Sequence, residues 1–525
     1  MTGLLPGPHN VFDGSAFADD LRLAADVVVV GSGAGGAMAA EVLARAGLEV
    51  VMVEEGGYNR SADFTLLEAD AYQELYQESA SRKTADKAIS VLQGRTVGGS
   101  TTVNWTTSFR TPAQTLGHWA EVWNVAGLDP GDLAPWFAAV EQRLGIEPWD
   151  FAPNTNNAVL ARGAQRLGWR HGIISRNVRG CRDLGYCGLG CPVDAKQSML
   201  LTAVPGALAA GATLLTRVRA ERVLQRRGRV HGLECRALEP RGILPNGHRA
   251  IITARHVVAA GGAIGSPGLL LRSALPDPHH RLGKRTFLHL VNVSSALMPE
   301  PVRAFEGAPQ SIYSDQFLWP DGADGKVGYK LEVPPMHPLL GATVFRLHGL
   351  LHAEKMARFA DTQAVIALMR DGFHADEPGG TVRLRDDGSP ELDYRLNGRL
   401  ADGLKRAYLS MAELQFAAGA ESVLPHHTEA QPYSSWTEAR RAIAGLTMAP
   451  HHAGLFSAHV MGGCAMGQDP KTAVVDSSGR HHQVRGLSVI DGSLFPTSLG
   501  VNPQLTIYAL ASKLATELAQ DLGGR

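Results

Sequence analysis

One short stretch constrains this chain more than any other. Val27 to Val30 is a continuous β-branched run, the pattern of a strand buried on both faces. Gly31-Ser-Gly33-Ala34-Gly-Gly36 follows at once. Ala37 to Ala46 is rich in good helix formers, and Gly47 suits the position just past a helix end. Glu49 to Val53 reads as a second strand and ends in Glu54 and Glu55. A strand before, a helix after and an acid downstream give a Gly-x-Gly-x-x-Gly pattern its meaning. Gly31 permits the tight turn, Gly33 lets a pyrophosphate approach the backbone, and Gly36 lets helix and strand pack closely. The phosphates would lie on the helix N-terminus, where unpaired N–H groups and the dipole favour anions. Glu54 is placed to accept hydrogen bonds from an adenosine ribose. A glycine turn without ligand is the bland alternative, and the flanking elements weigh against it. The turn does not separate NAD from FAD.

The rest of the composition mainly excludes. A chain of 525 residues is long for one core and implies two domains, which can be interleaved. A formal net charge of −1 offers no basic excess for nucleic acid or an anionic membrane. The first twenty residues lack a basic n-region with a long apolar core, and no apolar run reaches transmembrane length. Both features are expected of a cytoplasmic protein. Five cysteines without a signal peptide do not make a disulfide scaffold.

Further along, Thr213–Val218, Arg222–Leu224 and Arg255–Val258 read as strands. Residues 296 to 440 change character and hold most of the Pro-broken apolar segments. Ile507, Leu510, Leu514 and Leu518 show helical spacing, predicting a helix from Pro503 to about Gln520. Three more blocks stand out. Gly94-Arg-Thr-Val-Gly-Gly-Ser-Thr-Thr-Val-Asn104-Trp could wrap a phosphate or pass along a flat ring. Gly262-Ala-Ile-Gly-Ser-Pro-Gly-Leu-Leu-Leu-Arg-Ser273 follows a strand. His459-Val-Met-Gly-Gly-Cys-Ala-Met-Gly467 precedes Leu487-Ser-Val-Ile-Asp491-Gly492, Pro496 and Gly500-Val-Asn502-Pro503.

With these four motifs in this order, the chain resembles the glucose–methanol–choline (GMC) oxidoreductases over nearly its whole length. The second signature departs slightly, ending Ser273-Ala274 where the family usually has Ser-Gly. Within the family the chain is most similar to the long-chain fatty alcohol oxidases, on Gly98-Gly-Ser-Thr-Thr-Val-Asn-Trp105, Cys187-Gly-Leu-Gly-Cys-Pro-Val-Asp-Ala-Lys-Gln-Ser198, Ser457-Ala-His-Val-Met-Gly and Leu499-Gly-Val-Asn-Pro503. It lacks the membrane-spanning N-terminal region of the plant members, which weakens any inference to a membrane or to very long chains.

The resemblance implies an α/β fold: a Rossmann-type FAD-binding domain interleaved with an α+β substrate domain on an antiparallel sheet, as in p-hydroxybenzoate hydroxylase. The implied division gives residues 1–135, 196–295 and 451–525 to the FAD domain and 136–195 and 296–450 to the substrate domain. It implies an FAD cradle from Gly31, Gly33, Ala34, Gly36 and Glu54, then Arg95, Gly98, Gly99, Ser100 and Asn104, completed by Val218, Gly261, Asp491, Gly492, Asn502 and Pro503. It implies oxidation of a hydrophobic primary alcohol, with O2 or another molecule as electron acceptor. The active-site pair falls on His459 and Asn502.

Alcohol oxidation removes a hydroxyl proton and a hydride from one carbon. The flavin takes the hydride, so the protein must supply a proton acceptor and an orienting group. Histidine suits the first role because its ordinary pKa lies near working pH. Asn502 would hold the alcohol oxygen. Asn502-Pro503 also reads as N-cap and first helical residue, which sets capping and substrate contact in competition for one amide. The helix's positive end would favour negative charge on the reduced ring. Glu332 is a weaker candidate, equally readable as a salt-bridged acid at a strand end.

Cys181, Cys187 and Cys191 invite a metal reading, but no fourth cysteine is close and His171 is the nearest imidazole. A compact Gly-rich loop with buried free thiols is favoured, no metal is assigned, and Cys464 reads as packing. His118 follows the first signature without a firm linkage motif for covalent FAD. The apolar stretch Pro338–Leu351 could line a substrate tunnel, and core is favoured. Two other functions fit the same motifs less well: an FAD-containing lyase on cyanohydrins, and a non-catalytic flavin-binding protein.

Overall fold

In a computed structural model, which describes residues 10–523, the Val27–Val30 run is the inner end of a longer strand, Leu21–Val30. It pairs in parallel with Val50–Val53 on one side and Pro245–Ala259 on the other. Thr213–Thr216 and Val11–Asp13 continue the sheet in parallel beyond Val50–Val53. Beyond Pro245–Ala259 the sheet turns antiparallel, through Arg229–Leu238 and Val218–Arg226. The end of Pro245–Ala259 instead takes Leu487–Val489 in parallel, so residues from both ends of the chain share this eight-stranded sheet.

Val27, Val28 and Val29 are wholly buried. The helix Ala34–Arg45 packs on the helix Gln504–Asp521. Both helices are rich in buried alanine (Ala37, Ala40 and Ala44; Ala511 and Ala515), and side chains this small let two helices approach closely. The first helix ends as the sequence predicts: Gly47, at φ +85°, gives its N–H to Ala44.

A second eight-stranded sheet runs in the order Ile89–Val91, Leu455–Ser457, Val291–Leu297, Thr362–Met369, Tyr329–Glu332, Ile312–Phe317 and Gly172–Ile173, with Ser422–Pro425 paired to Val291–Leu297. Every pairing is antiparallel except Ile89–Val91 with Leu455–Ser457. Thr362–Met369 is buried on both faces. The helix Gly398–Ala417 packs against this sheet. Alternate residues on the sheet form a separate apolar cluster of Val291, Val293, Ile366 and Leu368, against which Trp105 and Phe456 pack. The architecture is the expected one, mixed α/β with an FAD-type parallel core and a second, mainly antiparallel sheet. Ile89–Val91, Leu455–Ser457 and most of Val291–Leu297 lie in the second sheet, although the expected division gives 1–135, 196–295 and 451–525 to the FAD domain.

Several local expectations are corrected. Thr213–Val218 is not one strand: Arg217, at φ +49°, breaks it, and Val218–Arg226 departs as a new strand that absorbs Arg222–Leu224. Arg255–Val258 is the end of the fifteen-residue strand Pro245–Ala259. Pro338–Leu351 is off the wall of the cavity between the two sheets and is core only in part: Phe345 is buried, and Val344 and Leu347 pack against the same apolar cluster. It forms the helix Pro338–Val344 and the start of Gly349–Ala357, with Leu350 74% and Leu351 60% exposed. Among the described residues, no helix is long and apolar enough to cross a membrane.

Candidate active site

A cavity of about 710 Å³ opens where the two sheets meet. The first sheet and its turns contribute Gly31, Gly33, Ala34, Glu54, Val218 and Gly261 to the wall. Ser100 and Asn104 add a second loop, and Asp491, Gly492, Asn502 and Pro503 add the C-terminal segment. The second sheet contributes Val291, Ile366, Leu368 and Phe456, with Trp105, Gln310 and His459 beside them.

The glycine turn is built for close approach. Gly31 sits at φ +98°, and a Cβ there would lie 2.4 Å from the Ala260 carbonyl oxygen. A Cβ on Gly36 would lie 1.9 Å from the Gly31 carbonyl oxygen, so helix and strand touch here. Gly33 differs: its Cβ would meet only the Gly99 Cα, at 3.8 Å. That Cβ would instead enter the cradle. Gly33 is the N-cap of Ala34–Arg45, no side chain caps this helix, and its first turn holds no acid. The free N–H groups and the helix dipole therefore present an anion site.

Glu54 is buried behind this turn. Its Oε2 accepts from the Ser32 N–H at 3.0 Å and the Ser32 hydroxyl at 2.7 Å, and its Oε1 accepts from Gly56 N–H at 2.8 Å. Burial raises its pKa, and these hydrogen bonds oppose the rise. Oε1 keeps a lone pair for a further donor. Ser32 also accepts from the Gly98 N–H at 3.0 Å, tying the two glycine loops together. The sequence reading missed this residue because it occupies a variable position of the motif.

Asp491 has no such spare capacity. It accepts from Gly262 N–H at 2.7 Å, the Ser266 hydroxyl at 2.6 Å and Ser493 N–H at 2.8 Å, with the Ser493 hydroxyl as a fourth donor. Its carboxylate clamps two helix starts, so only the adjoining wall is left for a ligand. Asn104 turns its amide to Gln504 Oε1 at 2.6 Å. Gly36, Gly98 and Arg95 are not on the cavity wall. Arg95 pairs with Glu55 at 3.1 Å and with the Gly242 carbonyl.

The loop with three cysteines closes against the Gly98–Trp105 segment. Lys196, fully buried, gives its ammonium to the carbonyls of Cys187 at 2.6 Å, Thr102 at 2.7 Å and Asn104 at 2.8 Å. Cys181, Cys187 and Cys191 are free and only half-buried, which corrects the expectation of buried thiols. Cys464 is free and buried. Among the described residues the three sulfurs do not converge; the one trio of possible ligands within 4.8 Å of one another is His427, Glu429 and His452, off the cavity wall. His118 packs on Phe373 and is likewise off the wall.

His459 and Asn502 both face the cavity. The helix begins at Gln504, with Pro503 as its cap residue and no side-chain cap. The expected competition for the Asn502 amide therefore does not arise. Its Oδ1 accepts from Lys330 Nζ at 2.7 Å, and its Nδ2 donates to Glu332 Oε2 at 3.2 Å. Glu332 is wholly buried and ion-paired: Oε1 lies 2.6 Å from Lys330 Nζ, and Oε2 accepts from Gln310 Nε2 at 2.5 Å. It is off the cavity wall, behind Asn502. Lys330 and Glu332 are two apart on one strand and share a face, a signal the sequence carried in Lys330-Leu-Glu332.

The Nδ1 atoms of His459 and His289 are 3.0 Å apart. Burial, then the Lys330 charge, pushes the His459 pKa down to about 3, so its ring is neutral at ordinary pH. Burial, then His459 and Lys330, likewise hold His289 well below the usual value. Burial also lowers Lys330, and the Glu332 carboxylate beside it opposes the shift.

The cradle at Gly33 and Gly99, the open helix N-terminus and the spare acceptor on Glu54 fit the diphosphate and ribose of a dinucleotide. The cavity continues past them to a polar group set in an apolar wall. This is the site of an FAD-dependent oxidoreductase. The family models agree. GMC oxidoreductase models match residues 72–291 and 376–511, and an FAD binding domain model matches residues 24–60. The chain belongs to the GMC oxidoreductase family. It is 35% identical to an uncharacterised GMC-type oxidoreductase of Mycobacterium tuberculosis, over 95% of this chain and 76% of the relative. It is 28% identical to a long-chain-alcohol oxidase of Arabidopsis thaliana, over 96% of this chain and 69% of the relative. In fold it is similar to pyridoxine 4-oxidase from Mesorbium loti (TM-score 0.69, 18% identity, 94% of this chain and 98% of that one). It is also similar to Aspergillus oryzae formate oxidase (TM-score 0.70, 15% identity, 96% and 100%).

Proposed function

We propose that this protein oxidises a hydrophobic primary alcohol to the aldehyde, with His459 and Asn502 as the groups that handle the hydroxyl. The observation that carries this reading is the juxtaposition of one neutral imidazole and one tethered amide with an apolar wall of Val291, Ile366, Leu368, Phe456 and Trp105. A charged or polyhydroxyl substrate would find few partners on that wall, whereas an aliphatic or aromatic chain would be desolvated by it. The similarity to long-chain-alcohol oxidases supports the same substrate class.

When bound, FAD supplies the acceptor for the carbinol hydride. The protein residues do the rest. The Ala34–Arg45 N-terminus and the Gly33–Gly99 cradle hold the diphosphate, and Glu54 holds the ribose. Asn502 has one N–H left after serving Glu332, and it donates this to the alcohol oxygen. His459 accepts the hydroxyl proton. His289 is off the cavity wall, so the His459 nitrogen left for substrate is Nε2. Nε2 keeps its lone pair in the tautomer whose Nδ1–H donates to Nδ1 of His289. His459 is thus neutral and correctly protonated before substrate arrives. Glu332 acts from behind Asn502 and does not touch substrate. Electrons leave to O2 or another acceptor.

The test is anaerobic mixing of the FAD-loaded protein with straight-chain and benzylic primary alcohols, and with sugars and choline for contrast. Loss of the yellow colour with the apolar alcohols alone supports the substrate class. Faster loss with sugar or choline overturns it.

A further inference from the structure

We propose that Lys330 is the positioning residue of this centre: its ammonium, anchored by Glu332, fixes which way round the Asn502 amide faces the cavity. The inference rests on the proposed role of Asn502.

An asparagine amide has an acceptor end and a donor end of nearly the same shape, so an unrestrained one can offer either to a substrate. Here both ends are read. Lys330 Nζ has only donors and lies 2.7 Å from Oδ1. The Glu332 carboxylate has only acceptors and lies 3.2 Å from Nδ2. Turning the amide over would set oxygen against carboxylate and N–H against ammonium, two repulsive contacts in a buried place. The readers are themselves fixed. Lys330 is 1% exposed and Glu332 0%, their charged atoms are 2.6 Å apart, and the ammonium stands 3.6 Å above the Phe109 ring centroid. Gln310 holds the other carboxylate oxygen, and Thr107 in turn donates to Gln310 Oε1 at 2.5 Å.

Two consequences follow from this arrangement. The N–H left for the cavity is always a donor, which matches an alcohol oxygen and the alkoxide character it gains as its proton leaves. An ammonium on Oδ1 also draws electron density through the amide and strengthens that N–H as a donor. Lys330 is not on the cavity wall, so it acts through Asn502. Its charge faces His459 and His289, with Glu332 the counter-charge on its own strand.

The test compares Lys330→Met, Lys330→Arg and the double variant Lys330→Met/Glu332→Leu, all FAD-loaded. Kinetics with a primary alcohol are read beside NMR titration of the His459 and His289 imidazoles. An interaction used mainly in the transition state predicts that Lys330→Met lowers kcat by at least about tenfold while KM moves less than about threefold. Lys330→Arg keeps more of the rate than Lys330→Met. At least one imidazole then titrates at a higher pH in Lys330→Met than in the wild type, with burial, the larger cause, still holding it below the ordinary histidine range. If Lys330→Met does not fold, the double variant decides, since apolar replacement of a whole buried pair is commonly tolerated. Wild-type kcat in the double variant overturns the proposal. So does a rate loss with unchanged imidazole titration, which marks Lys330 as scaffold only. Should the wild type prove inert to every alcohol, the reading of the activity fails, and the side-chain amide resonances of Asn502 decide for Lys330: unchanged in Lys330→Met, they overturn the proposal.

Discussion

His289 and His459 face each other Nδ1 to Nδ1 at 3.0 Å, so a single proton lies between them. His289 is wholly buried, with the Gly500 carbonyl beside its ring to favour the protonated nitrogen. A His289 that keeps its proton on Nε2 accepts from His459 at Nδ1 and so chooses that ring's tautomer. His289→Leu is expected to keep FAD and KM while slowing flavin reduction by about tenfold to a hundredfold, the usual scale for a misplaced acid–base group. His289→Asn, which retains an acceptor, should recover part of the loss. Stopped-flow absorbance reads both; a change confined to KM would exclude tautomer control.

The two glycines of the turn should fail differently. A Cβ on Gly36 would stand 1.9 Å from the Gly31 carbonyl oxygen, a clash of backbone with backbone. One on Gly33 would meet protein only at 3.8 Å and would otherwise fill the anion cradle. Gly36→Ala is thus expected to yield misfolded protein. Gly33→Val should fold with nearly unchanged circular dichroism and bind FAD at least about tenfold more weakly, through lost backbone approach. Equal loss of folding in both variants would contradict this division.

Stability should fall on the acid side of neutrality. His256 and His426 are buried, and their pKa values are pushed down to about 3, chiefly by burial. Below the ordinary value of about 6.5 the unfolded chain binds protons that the native rings refuse, so stability present above that pH is lost as pH falls toward 3. At pH 5 each ring costs roughly 2 kcal/mol of stability relative to neutrality. Neither nitrogen of His426 has a partner. His426→Leu should change Tm little at pH 7 and raise it above wild type at pH 5. Parallel melting curves for the two proteins would show that His426 does not contribute.

What was legible in the sequence follows from how each feature is encoded. The turn at Gly31–Gly36 was readable because strand, glycines and helix are local, and glycine spacing reports backbone geometry directly. That His459 and Asn502 share one cavity was readable through the family motifs. Asn502 as helix cap was misread, since Asn-Pro favours capping locally and only the distant Lys330 and Glu332 claim the amide. His289 and Gln504 carry no local mark of their role. Each gains it from contacts across 170 or more residues, such as His289 with His459 and Gln504 with Asn104. Pro338–Leu351 was legible only in part. Its apolar content suggested burial, which holds for Phe345, while two short helices leave Leu350 and Leu351 in solvent.

The most direct test of the account is anaerobic stopped-flow reduction of the FAD-loaded protein by an apolar primary alcohol, wild type beside His459→Ala. The account predicts that both proteins are yellow and that the wild type bleaches. In the variant bleaching should slow by at least about a hundredfold, as expected for loss of the proton acceptor. Undiminished bleaching in His459→Ala would contradict it.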